Sequence, residues 1–159
     1  MSLSPSADDS GSRFVAYVEA LGAALGHADR IAPVRRYCAG LLLPGDRKSI
    51  EPMAARVEPS RLQATHQSLH HLVAKADWSD AAVLAVVRAR VLPTIELHGP
   101  IQAWIIDDTG FPKKGRHSVG VARQYCGQLG KQDNCQVAVT LSLANRTASL
   151  PIALSLIHI

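Results

Sequence analysis

"QAWIIDDTGFPKKG", residues 102–115, decides how the rest of the chain is read. An apolar run, Trp104-Ile105-Ile106, stops at two adjacent carboxylates, Asp107 and Asp108. Thr109-Gly110 follows and reads as a turn; then come Lys113, Lys114 and Arg116. Residues 101–107 therefore read as a strand that delivers acids to its C-terminal end. A carboxylate in that position is held rigidly at a surface, which suits a hard divalent cation. Magnesium in such a place activates a nucleophile and stabilises a leaving oxygen on a phosphate. An Asx-type turn or a helix cap explains the same two residues without any metal. Strand alternation sends neighbouring side chains to opposite faces, so one of the two acids is the expected ligand.

Residues 109–132 follow with Lys113, Lys114, Arg116, Arg123, Lys131 and His117, and with no acid. They read as one long loop, too long to be idle in a compact domain. Gly110, Gly115, Gly120, Gly127 and Gly130 would let another backbone approach closely, and Gln124 and Tyr125 add a donor and a stacking surface. Positive charge, exposed amides and an aromatic ring are what phosphodiester binding uses. A solvated basic loop is the plain alternative.

Downstream the hydrophobic period is two. Cys135, Val137, Val139, Leu141 and Leu143 alternate with polar or small residues, "NRT" at 145–147 is a turn, and Ala148 to Leu156 alternate again. That pattern predicts an antiparallel hairpin, with Pro151 at a bulge or on an edge. Upstream, residues 12–98 carry helical spacing. Phe14, Val18, Leu21 and Leu25 share one face, as do Val34, Tyr37 and Leu41. "LPGDRKS" at 43–49 is a turn cluster. Ser60 with Gln63 matches a capping box, with Leu62, Leu69 and Leu72 as the apolar stripe that follows. Trp78, Ser79 and Val83 fit a hydrophobic staple around an N-cap. Leu84, Val87, Val91 and Ile95 line a last helix that Pro93 kinks or shortens. A hinge is expected near Gly99-Pro100. The fold class is α+β: a leader at 1–11 expected to be disordered, a helical region at 12–98, and a β-rich unit at 101–159.

Composition narrows the class without naming it. With 159 residues and 47% hydrophobic content, the chain builds a core of aliphatic residues, since aromatics are 4%. A net charge of +4 is compatible with nucleic acid but does not demand it. Cys38, Cys126 and Cys135 form no Cys-x-x-Cys pair and are odd in number, which reads as reduced thiols rather than a disulfide framework or zinc site. No apolar run has the length of a membrane span or a signal segment. His66 and His70 have metal-ligand spacing, with His71 beside them but no acid near. Arg35, Arg36, Arg47, Lys48, Arg56 and Arg61 fit either ordinary surface charge or phosphate contact by a DNA-binding unit. No helix-turn-helix spacing stands out. Serine-hydrolase and P-loop motifs are absent.

"WIIDDTGFPKKGRHSVGVARQYCGQLGKQDNCQVAV", residues 104–139, resembles the first catalytic block of bacterial insertion-sequence transposases of the DDE type. "RRYCAGLLLPGDRKSIEPMA" and "LQATHQSLHHLVAKADWSD" are similar to the helical region such proteins place before it. The resemblance implies a ribonuclease H-like catalytic domain. It implies metal-dependent cleavage of transposon-end DNA and strand transfer, with two magnesium or manganese ions. It also implies double-stranded DNA as partner, a homodimer in the complete enzyme, and a bacterial cytoplasmic, nucleoid-associated location. Asp107 or Asp108 would be the first acid of the triad, and Lys113, Lys114, Arg116, Arg123, Gln124, Tyr125 and Lys131 would hold DNA. The family's second Asp and its Glu lie further on than this sequence runs, and residues from about 154 depart from the family pattern. The expectation is thus an N-terminal portion, inactive alone. The alternatives are a non-catalytic DNA-binding inhibitor and a non-functional remnant.

Overall fold

The computed structural model describes residues 7–115, 117 and 119–157. Among the described residues five α-helices are followed by a four-stranded antiparallel sheet, so the α+β class holds. The chain divides into two compact units, residues 1–86 and 87–159. The division falls at Val86/Val87, inside the last helix.

In the first unit, α1 (Ala7–Ala24), α2 (Ile31–Leu42), α3 (Ile50–Val57) and α4 (Leu62–Ala74) follow the apolar spacing. The first helix begins inside the expected leader of residues 1–11, since α1 starts at Ala7; residues 1–6 lie outside the described residues. Val18, Leu25, Val34 and Leu72 form one buried cluster, with Trp78 and Val83 packed on it. Met53, Ala54 and Leu69 form a second, and Tyr37 packs against both. Met53 and Leu69 have no exposed surface, which is worth about 1.5–3 kcal/mol each in removed apolar area.

The capping box expected at Ser60 and Gln63 does not form. Ser60 sits in a 3-10 turn, Pro59–Arg61, and the N-cap of α4 is Arg61, without a side-chain bond. Glu58 does the work instead: it accepts from Thr65 Oγ1 at 2.8 Å and pairs with Arg36 Nε at 2.9 Å. Ser79 does cap α5 (Asp80–Glu96), accepting from Ala82 N–H at 3.2 Å. That helix runs on three residues past Pro93, so the proline does not end it.

In the second unit, β1 (Ala103–Pro112), β2 (Val121–Cys126), β3 (Lys131–Ala144) and β4 (Ser149–Leu156) make one sheet. The long β3 is central. On one side it pairs with β1; on the other it pairs first with β2 and then with β4. The β3–β4 hairpin is as expected, and the bulge lies at Leu141/Ser142, where Ser142 faces Pro151.

Two expectations are corrected here. The strand does not stop at the carboxylates, and Thr109-Gly110 is no turn: β1 continues to Pro112, with Thr109 opposite Ala138 and Gly110 opposite Val137. Nor is 109–132 one loop, because β2 inside it forms a second hairpin with β3, closed by Leu129 and Gly130 N–H groups donating to Cys126 C=O.

Gly110 is needed at its place. A Cβ there would lie 3.2 Å from Cys126 Cα and 3.1 Å from its sulfur. Their partners on β3, Val137 and Lys131, are six residues apart, a contour of about 20 Å at strand rise. The sheet therefore curls to bring β2 against β1, and Cys126, Cys135 and Val137 fill the inside of the curl.

Asn145 fixes the β3–β4 turn. Its Oδ1 accepts from Thr147 N–H and Oγ1 and from Ala148 N–H, while its Nδ2 donates to Ile95 and Gly99 carbonyls. The last turn of α5 is thereby tied to the point where β1 begins, since Gln102 N–H donates to Ala144 C=O at 2.8 Å. Among the described residues no helix is long and apolar enough to cross a membrane.

Candidate nucleic-acid and metal site

Asp107 and Asp108 lie in mid-strand on β1, an edge strand of the sheet among the described residues. Both are exposed. The pleat sends them to opposite faces, as alternation requires. Asp107 stands opposite Thr140, whose hydroxyl donates to the Asp107 carbonyl at 3.4 Å; Asp108 stands opposite Val139. Asp107 Oδ1 accepts the Asp108 N–H at 2.9 Å, a bond to the next residue within the strand; the Asx-type turn and the helix cap, the non-metal alternatives, are not formed, since both acids lie inside β1. The bond uses one lone pair and leaves the rest of that carboxylate open. Among the described residues neither acid is in an ion pair, and no group of three His, Cys, Asp or Glu side chains is placed to hold a metal. The histidines of α4 are likewise no metal group; His66 and His70 stack with ring centroids 6.3 Å apart.

The cations do not surround the acids. Lys113, just past the end of β1, is six residues beyond Asp107, a contour of about 20 Å. Lys131 sits nine residues from the partner of Asp107 on β3. What the sheet does bring together is a second group at its other end. Lys113 N–H donates to Asn134 C=O at 2.9 Å. Arg123 faces Asn134 across the β2–β3 pair, and Tyr125, two residues on and 64% exposed, shares its face. A groove of about 330 Å³ runs there, lined by Val121, Ala122, Arg123, Asp133 and Asn134. Lys114 is exposed. Arg116 lies outside the described residues.

Two of the expected DNA-binding side chains are already engaged. Gln124 Nε2 donates to Cys135 C=O at 3.1 Å, so its amide braces the curl. Lys131 pairs with Asp133 at 3.1 Å. The acid-free run ends one residue short of that carboxylate, and Asp133 was not singled out from sequence. Its pKa is held below the usual carboxylate range by the Asn134 N–H, then by Lys131 and Arg123. The run of β-compatible residues Val121–Cys126 was the available signal for β2, and with it for this pairing.

In the helical unit most cations are also committed. Arg35 pairs with Glu19, and Arg36 and Arg61 with Glu58. Lys48 donates to the Leu41 and Leu43 carbonyls and Arg56 to the Arg47 carbonyl, so both hold the α2–α3 loop. The thiols Cys38, Cys126 and Cys135 are free, and burial pushes the pKa of Cys38 and of Cys135 up, which keeps them protonated.

The model of the DDE superfamily endonucleases matches residues 20–158, most of both units and the segment after residue 154 that was expected to depart from it. A probable transposase for insertion sequence element IS701 from Microchaete diplosiphon is 43% identical over 75 residues, 47% of this chain. That stretch is 19% of the relative's own length. No solved structure gives a significant match.

Proposed function

We propose, since this chain belongs to the DDE superfamily endonucleases, that it acts on DNA in transposition. In this reading one β1 carboxylate takes a divalent cation while the far end of the sheet takes the phosphodiester backbone. The observation that carries the reading is the exposure of Asp107 and Asp108 on an edge strand whose continuation leads directly to Lys113 and Lys114. Two adjacent acids, exposed and unpaired by any described cation, leave carboxylate oxygens open to a cation from solution. Carboxylate oxygens are the donors that magnesium or manganese prefers. When bound, the cation supplies an activated nucleophile and charge stabilisation at phosphorus.

The protein's own groups then have separable roles. Lys113, Lys114 and Arg123 neutralise phosphates, and Tyr125 offers a ring for stacking. The contour of about 20 Å between acids and Lys113 corresponds to about six base pairs of duplex, so one DNA molecule could reach both. Asp107 and Asp108 point to opposite faces, and no third acid joins them among the described residues. We therefore assign one ion to one of the two, and cutting to a centre completed by further acids. The antiparallel run β1–β3–β4, with the acids on its first strand, supports the ribonuclease H-like reading.

Titration of the full chain with Mn²⁺, followed by calorimetry, tests this. One saturable site is expected, abolished by Asp107→Asn or by Asp108→Asn but not weakened equally by both. No binding, or binding untouched by either change, would remove the reading. Duplex DNA incubated with the chain and Mn²⁺ should be bound and left uncut.

A further inference from the structure

We propose that α4 is a DNA-reading helix, the second helix of a helix-turn-helix formed by α3 and α4, and that Gln63, Gln67 and His70 meet base edges in a major groove. This rests on the nucleic-acid reading above and names the element that would make the contact.

The connection has the required form. The second helix begins at Leu62, with four residues, 58–61, between it and the end of α3 at Val57, and Pro59 among them prevents one continuous helix. Short turns of this kind join the two helices of such motifs. The inner face of α4 is anchored at three points. Leu69 packs on Met53 and Ala54 of α3, Leu72 enters the α1–α2 cluster, and Thr65 donates to Glu58, which Arg36 of α2 holds in turn. The helix is thus presented from a rigid support.

The opposite face has an unusual composition for plain solvent exposure. Gln63, His66, Gln67 and His70 follow the i, i+3, i+4, i+7 pattern and occupy an arc of about 100°. They stand across the helix from Thr65, Leu69 and Leu72. Gln63, Gln67 and His70 are exposed, and His66 is partly so. Solvent-facing helices ordinarily carry Glu and Lys in alternation. Here no acid occurs from Leu62 to Ala76, and the face is made of groups that both donate and accept hydrogen bonds.

Gln reads the N6 and N7 edge of adenine with two bonds, and the N-terminal residues of a recognition helix are the ones that reach bases. The positive end of the helix dipole lies at the same end, where a phosphate would flank the groove; Arg61 there has a 66% exposed side chain 3.8 Å from Glu58 and would leave that pair to join it. Glu51 of α3 borders the groove of about 440 Å³ lined by Leu62, Gln63, His66 and Gln67. An acid there disfavours a phosphate at that point and suits the amine of a cytosine.

The test is selection by the full chain from a pool of duplexes with a randomised 20-base-pair core, followed by fluorescence anisotropy. A sequence motif should be enriched. Gln63→Ala with Gln67→Ala should weaken binding to the enriched duplex at least tenfold, while binding to an unselected duplex changes less than twofold. Gln63→Glu should weaken binding to both. Because these side chains are exposed, circular dichroism melting should match the parent, so loss of folding cannot mimic the result. Enrichment of no motif, or a double variant that keeps its affinity and preference, overturns the assignment. Mn²⁺ binding at Asp107 or Asp108 is read independently of α4, so its presence alongside such a failure would leave the endonuclease reading standing and sink only this one.

Discussion

Replacing Asn145 is the sharpest perturbation of the platform that carries the acids. Its side chain makes five hydrogen bonds of 2.8–3.0 Å, three within the β3–β4 turn and two to the carbonyls of Ile95 and Gly99. The turn bonds are exposed, and water replaces them in part when they are lost. The Ile95 residue is only 7% exposed, so its carbonyl has less access to a substitute donor. At about 0.5 kcal/mol for each exposed bond and about 1 kcal/mol or more for each of the others, Asn145→Ala should cost about 3–4 kcal/mol. That raises local opening two to three orders of magnitude. Asn145→Asp separates the two halves of the network. It keeps the acceptor for the turn but places an anionic oxygen against two carbonyl oxygens, so at neutral pH it should cost as much as alanine or more. Hydrogen exchange read by mass spectrometry over residues 96–103 and 144–149 reports the opening, and urea unfolding reports the total. If both variants stay within about 0.5 kcal/mol of the parent, the tie between the last turn of α5 and the sheet has been misjudged.

The remaining perturbations probe separate parts of the molecule. Gly40→Ala would put a Cβ 2.2 Å from Met53 Cγ; with Met53 wholly buried, overpacking of about 1–3 kcal/mol should outweigh the helix-propensity gain of about 1 kcal/mol, and a raised melting temperature would contradict this. Gly110→Ala meets the Cys126 backbone rather than a flexible tip, so β1 and β2 must separate; increased alkylation of Cys126 in the folded protein is the expected readout, and unchanged protection would show that the curl yields some other way. Glu58→Gln weakens the pair with Arg36 but keeps an acceptor for Thr65, so it should destabilise the helical unit less than Glu58→Ala; equal effects in urea unfolding would show that the hydrogen bond carries nothing. The Asp133 carboxyl has a lowered folded-state pKa, so its contribution is present above the ordinary carboxylate range and is lost as pH falls through the folded value. Lys131→Met should move the Asp133 titration, followed by carbon NMR, upward toward the ordinary range, and no movement would dismiss the ion pair.

How much of this could be read beforehand divides along a physical line. Periodicity carried the helices and the β3–β4 hairpin, because one buried face per element leaves its period in the sequence: Val18 and Leu25, or Val137 and Leu143, are buried as their spacing requires. Capping was legible only when local. Ser79 bonds three residues on, whereas the N-terminus of α4 is fixed by Glu58, whose partners Arg36 and Thr65 come from different helices. The second strand escaped because its glycine and lysine neighbours signal a loop, and the pairing that makes it a strand is supplied by β3. The same glycine that looked like a turn at 110 is there for close approach to Cys126, a contact between chain positions sixteen apart.

The acid pair shows most clearly where sequence reading ends. Two carboxylates after an apolar run suggested a strand terminus, since burial of either would be prohibitive without a partner. The strand instead continues through them, because an edge strand with exposed faces imposes no such burial. Trp104 at 70% and Ile106 at 76% exposure are as open as the acids beside them. The position of Asp107 and Asp108 is therefore set by pairing with Thr140 and Val139 and not by a chain reversal. Their direction on opposite faces follows from the pleat alone. A rigid ladder with a free edge holds a carboxylate more firmly than a turn would, so the correction to the fold strengthens the physical case for a cation at one of them. It weakens only the idea that neighbouring lysines and arginines close around the same point.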